Sequence, residues 1–488
     1  MKDIFPSDLP EAPVLVWFRN DLRVDDNLAL RRAAESGNPV IPVFILEDGR
    51  DTLPLGGAQS WWLHHSLAAL SQELAILGTR LLLRKGDPQE IIDELIETTG
   101  AQTVLWNRRY SPEPIERDAV IKSKLRDRGI LVESHDGQLL HEPTRLKTGS
   151  GGPYRVYTPF WRAFSEEPPP RPPVSVPRKL TSSDKDIPVD DLAGWNLLPV
   201  EPDWSGGIAT EWRPGEAGAK ERLERFIEEA LDSYADKRDV PGATFTSKLS
   251  PHLAFGEITP FQIWQATENV RDDIPSRDLT VFRKELVWRE FSYHLLVNFP
   301  SLPHDNYNPD FDAFPWHAPE THLRCWQQGQ TGYPIVDAGM RELWQTGWMH
   351  NRVRMIVGSF LVKHLLIDWR HGESWFRDTL VDADPASNTA SWQWIAGSGA
   401  DAAPYFRIFN PILQGEKFDS DGAYVRRFVP ELAGLPDKYL HKPWEAPKPV
   451  LDKAGVKLGE TYPRPVVEHG GARERALAAY QQMKGKAA

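Results

Sequence analysis

The sequence of 488 residues contains a single cysteine, Cys325. One cysteine excludes an intramolecular disulfide and a cysteine-ligated metal or iron–sulfur cluster within one chain, which is typical of a reducing compartment. The N-terminal residues contain no apolar signal core, and no apolar run approaches the roughly 18 residues that cross a membrane. From these absences we expect a cytoplasmic protein that has no membrane segment and no metal site.

A glycine-rich phosphate-binding turn is missing as well. Short apolar runs alternate with helical patterns, such as those at 61–77 and 91–96, which predicts a parallel α/β sheet; the runs are residues 14–18, 40–44, 80–83 and 104–106. The turn after the first run, residues 19–23, has no glycine, so the fingerprint of a dinucleotide-binding Rossmann unit is absent. We therefore do not expect this domain to hold the main nucleotide cofactor.

The chain also lacks an excess of positive charge, because its formal net charge is −12. Indiscriminate binding of nucleic acid depends on neutralising phosphates, so this charge argues against such a role. A DNA partner would need a locally basic face. The candidates for such a face are Arg283, Lys284, Arg289, Arg341, Arg352, Arg354, Arg407 and Lys417.

Proline is dense from residue 168 to residue 214, and we expect this stretch to be a long extended linker. Beyond it, apolar residues at spacings of three and four predict helices at 220–231, 279–297, 336–345 and 351–367. The predicted organisation is an α/β domain at 12–140, a proline-rich interdomain linker at 141–215 and an all-α domain at 216–485.

The stretch from Asp382 to Asp419 combines acidic pairs, an amide, a Trp-Gln-Trp step and lone basic residues. The residues fit neither a clean helical nor a clean strand period, and polar groups that are buried need specific partners. A large polar and aromatic ligand is the simplest partner for them.

This stretch, together with residues 246–250, 285–291 and 347–352, resembles the photolyase/cryptochrome family of blue-light flavoproteins. Within the family the chain is most similar to bacterial photolyases, of class I or class III type, that act on cyclobutane pyrimidine dimers in DNA. The resemblance runs from Val14 to about Tyr480. It implies an α/β domain with a parallel Rossmann-like sheet, an all-α FAD-binding domain, and UV-damaged DNA as the partner of a monomeric enzyme with no obligate protein partner.

The resemblance assigns a set of residues to FAD. It places the phosphates against Tyr234, Thr246, Ser247, Lys248, Leu249 and Ser250, with Phe282 where relatives often have Trp, and the flavin ring against Arg354, Asp382, Ala383, Asp384 and Asn388. Taken alone, the hydroxyls at 246 and 247 indicate an ordinary helix N-cap. A positive charge at Arg354 would stabilise an anionic reduced flavin, and the Asn388 amide offers N5 both a donor and an acceptor.

Nineteen tryptophans are more than a core needs, since each indole N–H requires a partner. Trp392, Trp369 and Trp316 match the chain through which the family reduces its photoexcited flavin from the surface. Core packing is the ordinary interpretation of any single Trp. Three matches favour electron transfer, and we expect these residues, with Asn388 and Glu285, to be catalytic.

A dimer inside a duplex must be flipped into a pocket before it can be repaired, and a lesion that stacks poorly is the cheaper one to extrude. By resemblance, Trp288 and Trp394 are the stacking walls of that pocket, and Glu285, Asn351 and Met355 supply its floor and polar contacts. The predicted phosphate contacts are Arg238, Arg289, Arg352 and Arg407. Surface solvation is the alternative interpretation of each arginine.

Two alternatives within the family remain open. Photolyases for the (6-4) photoproduct carry two histidines one helical turn apart where this chain has Asn351 and Met355. Plant cryptochromes, which are photoreceptors, usually have Asp at the position of Asn388, animal ones have Cys, and both carry long tails where this sequence ends soon after Gln481. We expect cyclobutane dimer repair, with a photoreceptor or a (6-4) photolyase as the alternative.

A second, light-harvesting pigment is expected against the N-terminal domain, and methenyltetrahydrofolate is the favoured candidate. The loop at 110–116 departs from the Asn-Glu pair of the best-known folate site of the family. The motif Trp61, Trp62, Leu63, His64 and His65 resembles a branch closer to plant cryptochromes, in which folate can sit differently.

Overall fold

The computed structural model describes residues 9–48, 55–317, 319–405 and 407–486. Its sheet is entirely parallel, with strand order β3-β2-β1-β4-β5 and a short β6 paired with β2. The strands are β1 Val14–Phe18, β2 Pro39–Leu46, β3 Leu82–Lys85, β4 Thr103–Asn107, β5 Leu131–His135 and β6 Thr181–Ser182. The predicted α/β sheet is confirmed, although β3 starts two residues later than expected.

Both faces of the sheet are covered by helices, which explains why the central strands β1 and β2 are apolar throughout. Val14, Val16 and Phe18 pack on one side with α1 and α2, and Leu15 and Trp17 pack on the other side with α3 and α4. These helices are α1 Leu28–Glu35, α2 Gly57–Leu77, α3 Pro88–Thr99 and α4 Pro112–Asp127.

The predicted interdomain linker at 141–215, which includes the stretch expected to be extended at 168–214, contains regular structure. Helix α5 is Tyr157–Glu166, a 3₁₀ turn is Leu192–Trp195 and α6 is Gly206–Glu211. The prolines that prevent a helix are concentrated at 168–173, where the chain is irregular, and α6 contains no proline. The expectation of one continuous extended stretch from 168 to 214 is therefore wrong.

The second half of the chain is helical, as predicted. Its helices are α7 Glu216–Glu229, α8 Tyr234–Lys237, α9 Ser250–Ala254, α10 Pro260–Asn269, α11 Ser276–Asn298, α12 Glu320–Gln327, α13 Pro334–Thr346, α14 Asn351–Ser359, α15 Trp369–Thr379, α16 Pro385–Ala396, α17 Pro411–Phe418, α18 Ala423–Phe428, α19 Asp437–Leu440, α20 Lys448–Ala454 and α21 His469–Lys486. The single helix expected at 351–367 is wrong: α14 ends at Ser359, a π-helix follows at Phe360–His364, and Leu366 has a φ of 55°. A left-handed residue ends a helix, and apolar spacing does not reveal it.

The turn after β1 carries polar contacts from the sheet to the helical half. Asn20 donates to the Ala254 carbonyl at 3.2 Å, and the Arg23 guanidinium donates to the Gly256 carbonyl at 2.9 Å. Gly256 has a φ of +66°, and a Cβ there would overlap the Asn20 carbonyl. Only glycine at position 256 allows the helical half to approach the turn at residues 19–23 so closely. That turn, which itself has no glycine, therefore forms a contact between the sheet and the helical half. In the described part of the chain, no helix has the length and apolar character that spanning a bilayer requires.

Candidate flavin and lesion site

Four polar residues, Arg354, Asp382, Asp384 and Asn388, form what we call the flavin cluster. Arg354, on α14, donates to both carboxylate oxygens of Asp382, at 2.8 and 3.1 Å, and its Nε donates to the Met349 carbonyl at 2.7 Å. The Asp382 side chain is only 3% exposed and that of Arg354 is 24% exposed. A buried carboxylate needs such a partner, so the pair is fixed in place.

Asp384 sets the start of α16. Its carboxylate accepts the Ser387 N–H at 2.7 Å, Pro385 takes the first helical position, and the helix ends at Gly397 with a φ of 92°. The Tyr293 hydroxyl also donates to Asp384, and burial together with this carboxylate raises the pKa of Tyr293 well above its ordinary value. The cap and the hydroxyl hold Asp384 in one orientation.

Asn388 uses its side-chain amide nitrogen, and not its carbonyl oxygen, in hydrogen bonds to described residues. Its amide nitrogen donates to the Glu373 carboxylate at 2.9 Å and to the Glu373 carbonyl at 3.2 Å, and no described residue donates to its oxygen. Burial raises the pKa of Glu373. Glu373 had no signal in the sequence, because its role depends on α15 packing against α16. The geometry leaves one free acceptor, which suits a flavin N–H.

Trp348 connects the phosphate motif to the flavin cluster. The Lys248 ammonium lies 4.8 Å and the Arg354 guanidinium 5.8 Å from its ring centroid, and its Nε1 donates to the Ser250 hydroxyl at 3.4 Å. Sequence reasoning did not single out Trp348, although its motif was part of the resemblance. Two of the six predicted phosphate residues, Lys248 and Ser250, therefore lie beside the cluster.

The ordinary N-cap interpretation of Thr246 and Ser247 is wrong. Helix α9 begins at Ser250 with Leu249 as its N-cap, and no side chain caps it. The Ser247 hydroxyl accepts the Leu249 N–H at 3.4 Å, and Lys248 has a φ of 50°. The two half-buried hydroxyls consequently remain outside the helix.

Tyr234 and Phe282, both predicted to contact the cofactor, pack edge to face with centroids 5.4 Å apart. Both side chains are buried, and Phe226 packs against each of them. Leu249 and Ala383, two further residues predicted to contact the cofactor, are also buried and have no polar side-chain group. Phe282 thus fills its site as a packing residue.

A cavity of about 850 Å³ lies between the sheet and the helical half. Arg19, Glu47 and Arg109 line it from the carboxyl ends of the strands, and Asp384 and Asn388 line it from α16. Its volume is in the range of ordinary cofactor sites. The carboxyl edge of a parallel sheet is also where doubly wound folds bind ligands.

The three tryptophans of the predicted electron chain differ in environment. Trp392 is 3% exposed, Trp369 is fully buried and Trp316 is partly exposed. Trp369 begins α15, and its Nε1 donates to the Asn306 side chain at 2.9 Å. Among the described residues, none of the three rings stacks on another. Two of the three indoles are buried and the third is partly exposed, as expected for an electron path from the interior to the surface.

Trp392 is held by close packing. Its ring lies edge to face with Phe376 at 4.9 Å, and a Cβ at Gly372 would overlap its indole. Its Nε1 is buried and has no hydrogen-bond partner among the described residues. Packing against Phe376 and Gly372, and not a hydrogen bond, therefore holds the ring in place.

Trp288, a predicted wall of the lesion pocket, lies on α11 and packs in a different core cluster from Phe282. Tyr157 stacks on it with a centroid distance of 3.6 Å and an interplanar angle of 7°. The Tyr157 hydroxyl donates to the Lys284 carbonyl at 2.8 Å. One face of Trp288 is therefore covered by a residue from the predicted linker, and Trp394 is half-buried on α16.

The predicted phosphate arginines are of two kinds. Arg407 is exposed, whereas Arg238 pairs with Glu285 and Arg352 pairs with Asp239 at 2.6 Å. The Arg289 side chain is 11% exposed and donates to the Gln138 carbonyl at 2.7 Å. Because it is committed to the domain interface, we withdraw Arg289 as a phosphate contact.

Helix α14 presents the remaining predicted residues. Asn351 is exposed at its first position, and Met355 is half-buried one turn later, with its sulfur 3.8 Å from the Arg352 guanidinium. The His350 side chain caps the helix by accepting the Arg352 N–H at 3.2 Å. Asn351 and Met355 thus lie on the same side as Arg352.

Glu342, which sequence reasoning missed, lies beneath the start of α14. Its carboxylate accepts the His350 N–H at 3.2 Å and the Tyr424 hydroxyl at 2.6 Å. Burial raises the pKa of Glu342 to about 7, and burial lowers the pKa of His350 to about 4. These buried groups fix the helix that carries Arg352 and Arg354.

Comparison with known proteins identifies the family to which this chain is similar. Residues 14–177 match the family model described as DNA photolyase, and residues 282–482 match the FAD binding domain of DNA photolyase. A deoxyribodipyrimidine photo-lyase of Agrobacterium fabrum is 61% identical over 476 residues, which cover 98% of this chain and 99% of that protein. Cryptochrome-2 of Arabidopsis thaliana is 40% identical over 95% of this chain and 78% of its own length. The crystal structure of a bacterial class III photolyase from Agrobacterium tumefaciens superposes with a TM-score of 0.95 at 60% identity, covering 99% of this chain and all of that one.

Proposed function

The chain belongs to the photolyase/cryptochrome family, and from this membership we propose that it uses light and FAD to split cyclobutane pyrimidine dimers in DNA. The observation that carries the proposal is the flavin cluster, in which Asn388 keeps one free acceptor beside the buried Arg354–Asp382 pair. The 61% identity to a deoxyribodipyrimidine photo-lyase supports the choice of substrate.

The helical half holds FAD. When bound and reduced, FAD supplies the photoexcited electron that opens the dimer and afterwards returns to the flavin. We assign Arg354 to electrostatic stabilisation of the anionic reduced ring and the Asn388 oxygen to its N5 position. Tyr234 and the segment from Thr246 to Ser250 bind the phosphates.

Trp392, Trp369 and Trp316 carry electrons from the surface to the flavin. The progression from two buried indoles to one partly exposed indole supports this role. Indole is readily oxidised, so a hole that forms at Trp392 can move outward. The chain serves reduction of the cofactor, and repair by an already reduced enzyme does not need it.

The lesion lies against Trp288 and Trp394, with Glu285, Asn351 and Met355 as its polar and apolar contacts. Arg238, Arg352 and Arg407 bind phosphates of the flanking backbone. Trp288 and Arg352 are partly exposed and Asn351 is exposed, and the adjacent residues Arg238 and Asp239 pair with α11 and α14, which supports this assignment. The side chains of Asn351 and Met355 cannot transfer protons as a histidine pair would, which favours the cyclobutane lesion over the (6-4) photoproduct.

We assign methenyltetrahydrofolate, as the second pigment, to the sheet side of the cavity between the sheet and the helical half; Asp384 and Asn388, which line it from α16, are assigned to the flavin. Arg109 and Lys85 line this cavity, and cations there suit the carboxylates of a folate. Mass spectrometry of the pigments released on denaturation tests the assignment. Recovery of FAD with a deazaflavin or a second flavin, and no folate, would contradict it.

We further propose a cytoplasmic monomer organised as an antenna domain at 12–140, an interdomain segment at 141–215 and a cofactor and lesion domain at 216–485. The single cysteine and the position of the sheet before the helical half support this organisation. Gel filtration with light scattering tests the oligomeric state.

The direct test is repair by purified protein whose FAD has been reduced chemically. Duplexes that contain either one cyclobutane thymine dimer or one (6-4) photoproduct are kept in the dark or under blue light. We expect intact thymines from the first duplex, in light only. Repair of the second duplex would favour a (6-4) photolyase, and repair of neither would favour a photoreceptor.

A further inference from the structure

Two neighbouring residues, Arg238 and Asp239, form ion pairs with two different helices. The Arg238 guanidinium hydrogen-bonds to the Glu285 carboxylate on α11. The Asp239 carboxylate accepts the Arg352 guanidinium of α14 at 2.6 Å. Two of the three arginines assigned to DNA phosphates are therefore neutralised by carboxylates in the protein without DNA.

The two pairs have similar surroundings. Arg238 is 18% and Glu285 34% exposed at their side chains, and the Arg238 guanidinium lies 5.3 Å from the Tyr234 ring centroid. Arg352 is 20% and Asp239 36% exposed, and Phe418 lies 4.4 Å from the Arg352 guanidinium. Each arginine is thus confined between a carboxylate and an aromatic ring, so its release to a phosphate has a cost.

We propose that Glu285 and Asp239 restrain Arg238 and Arg352 in the free protein, and that a bound dimer releases Arg238 by giving Glu285 a new hydrogen-bond donor. This inference rests on the proposed function. It adds Asp239 to the residues that set DNA affinity and makes the Arg238–Glu285 pair a determinant of specificity.

Only an extruded lesion can make the exchange. The ring N–H groups of a flipped pyrimidine dimer are donors, and a carboxylate is an acceptor. Intact DNA keeps its bases stacked and paired, so it offers no donor to Glu285. To use Arg238, intact DNA must leave the Glu285 carboxylate without a partner, which is unfavourable at a partly buried site.

Asp239 has a different role because it is not among the expected lesion contacts. Freeing Arg352 from Asp239 costs the same with damaged and with intact DNA. The Asp239 restraint therefore lowers affinity for all DNA, whereas the Glu285 restraint lowers affinity for intact DNA selectively. Arg407 has no ion pair among the described residues, so no carboxylate restrains its contact with a DNA phosphate.

The test compares the affinities of flavin-loaded protein for a duplex with one cyclobutane thymine dimer and for the same duplex without it. Glu285→Gln keeps the shape of the side chain and removes its charge. We expect it to bind the intact duplex roughly fivefold more tightly, with a salt slope steeper by about 0.9, because one more arginine reaches a phosphate. Its preference for the dimer should fall.

The matched variants are Asp239→Asn and Arg238→Gln. Asp239→Asn should strengthen binding of both duplexes by one common factor and leave the preference unchanged. Arg238→Gln should weaken binding of the duplex that contains the dimer and leave binding of the intact duplex nearly unchanged. In the double variant, it should cancel the gain in affinity for intact DNA that Glu285→Gln produces. The flavin absorption spectrum of each variant reports folding without relying on DNA.

Three results would overturn the exchange: no gain on intact DNA in Glu285→Gln, a gain that persists after Arg238 is replaced, or equal losses on both duplexes in Arg238→Gln. These outcomes leave the proposed function in place as long as the wild type prefers and repairs the dimer. A wild type that shows no preference for the dimer removes the proposed function itself.

Discussion

Arg352 and Arg354 lie two residues apart on α14, and the helix turns them to opposite surroundings. Arg354 pairs with Asp382, whose side chain is 3% exposed, and Arg352 pairs with Asp239, which is 36% exposed. The inner arginine belongs to the flavin cluster, and we propose that the outer arginine belongs to the face that meets DNA. On this proposal one helix carries the electrostatics of the cofactor on one side and those of the substrate on the other.

The difference shows what burial does to the same charged group. A buried ion pair has a desolvation cost that only fixed geometry offsets, so its partners cannot be separated without a large loss. A pair that is partly exposed contributes little to stability and is screened by salt, so it can exchange partners. Changes on the inner side should alter cofactor chemistry, and changes on the outer side should alter DNA affinity.

The largest expected effect is on the inner side. Trp392→Phe should nearly abolish photoreduction of oxidised FAD, because phenylalanine fills much of the same space beside Phe376 but is far harder to oxidise. Enzyme reduced chemically beforehand should still repair dimers. Absorption spectra recorded during blue illumination measure the effect, and an unchanged rate in this variant, in Trp369→Phe and in Trp316→Phe would remove the chain from the account.

Arg354→Ala should cost about 3 kcal/mol of unfolding free energy, near the lower end of the range for breaking a buried pair, because Arg354 is 24% exposed. The Asp382 carboxylate would be left buried without its partner. FAD retention should fall as well, while Arg354→Lys should keep part of both. Denaturant unfolding and flavin release measure these losses; a variant as stable as the wild type would show that the pair is not the anchor.

Trp288→Ala acts on the outer side and should reduce affinity for dimer-containing DNA by about 1–3 kcal/mol, or roughly 5- to 150-fold. Trp288→Phe preserves part of the stack with Tyr157 and should lose less. The control is Trp344→Ala, which removes a 57% exposed indole away from the lesion pocket and should change nothing. Equal losses on damaged and intact DNA would argue against a stacking wall.

Glu342→Gln should change how stability depends on pH. Burial raises the pKa of Glu342 to about 7, above its ordinary value of about 4.3, so the fold favours the protonated form. That stabilisation is complete below about pH 4 and is lost as pH rises through 7. The variant mimics the protonated form, so its advantage over the wild type should grow by about 2.5 kcal/mol between pH 5 and pH 8. Unfolding by denaturant at pH 5 and pH 8 measures it; an advantage that does not change with pH would contradict the raised pKa.

Arg352→Ala should have the smallest effect, a uniform loss of affinity for damaged and intact DNA with a salt slope reduced by about 0.9. Arg341→Ala is the matched control, since Arg341 is 21% exposed and pairs with Glu431 at 2.8 Å away from the lesion residues. Fluorescence anisotropy across a salt series measures both. A similar slope change in the control would mean that the outer face is not a specific phosphate site.

The sequence predicted the architecture well because its signals are local. Buried strands such as β1 and β4 appear as apolar runs, and α11 and α13 appear as apolar residues at helical spacing. The break of the predicted helix at 351–367 was invisible, because a π-helix and a left-handed Leu366 leave the apolar pattern almost unchanged.

Resemblance to the family predicted most residues of the candidate site, and the remaining ones were identified only from the packing of the helices. The Arg354–Asp382 pair was anticipated from motifs. Glu373, which pairs with Asn388, and Glu342, which accepts the His350 N–H, come from other helices and have no local signal. Arg289 matched a motif and yet points into the domain interface, because its surroundings depend on a carbonyl 151 positions away. Burial, and therefore the role of a charge, is a property of the fold.

The most direct test of the division between the two sides is the yield of repaired dimer per absorbed photon in the bound, reduced complex, measured alongside affinity at two salt concentrations. Three phosphate contacts give a salt slope of about −2.7, so a fourfold rise in salt should weaken binding roughly 40-fold. The repair yield of the complex that remains should stay constant, because the flavin cluster is shielded from solvent. A yield that falls in parallel with affinity, or that is absent in light, would contradict the account.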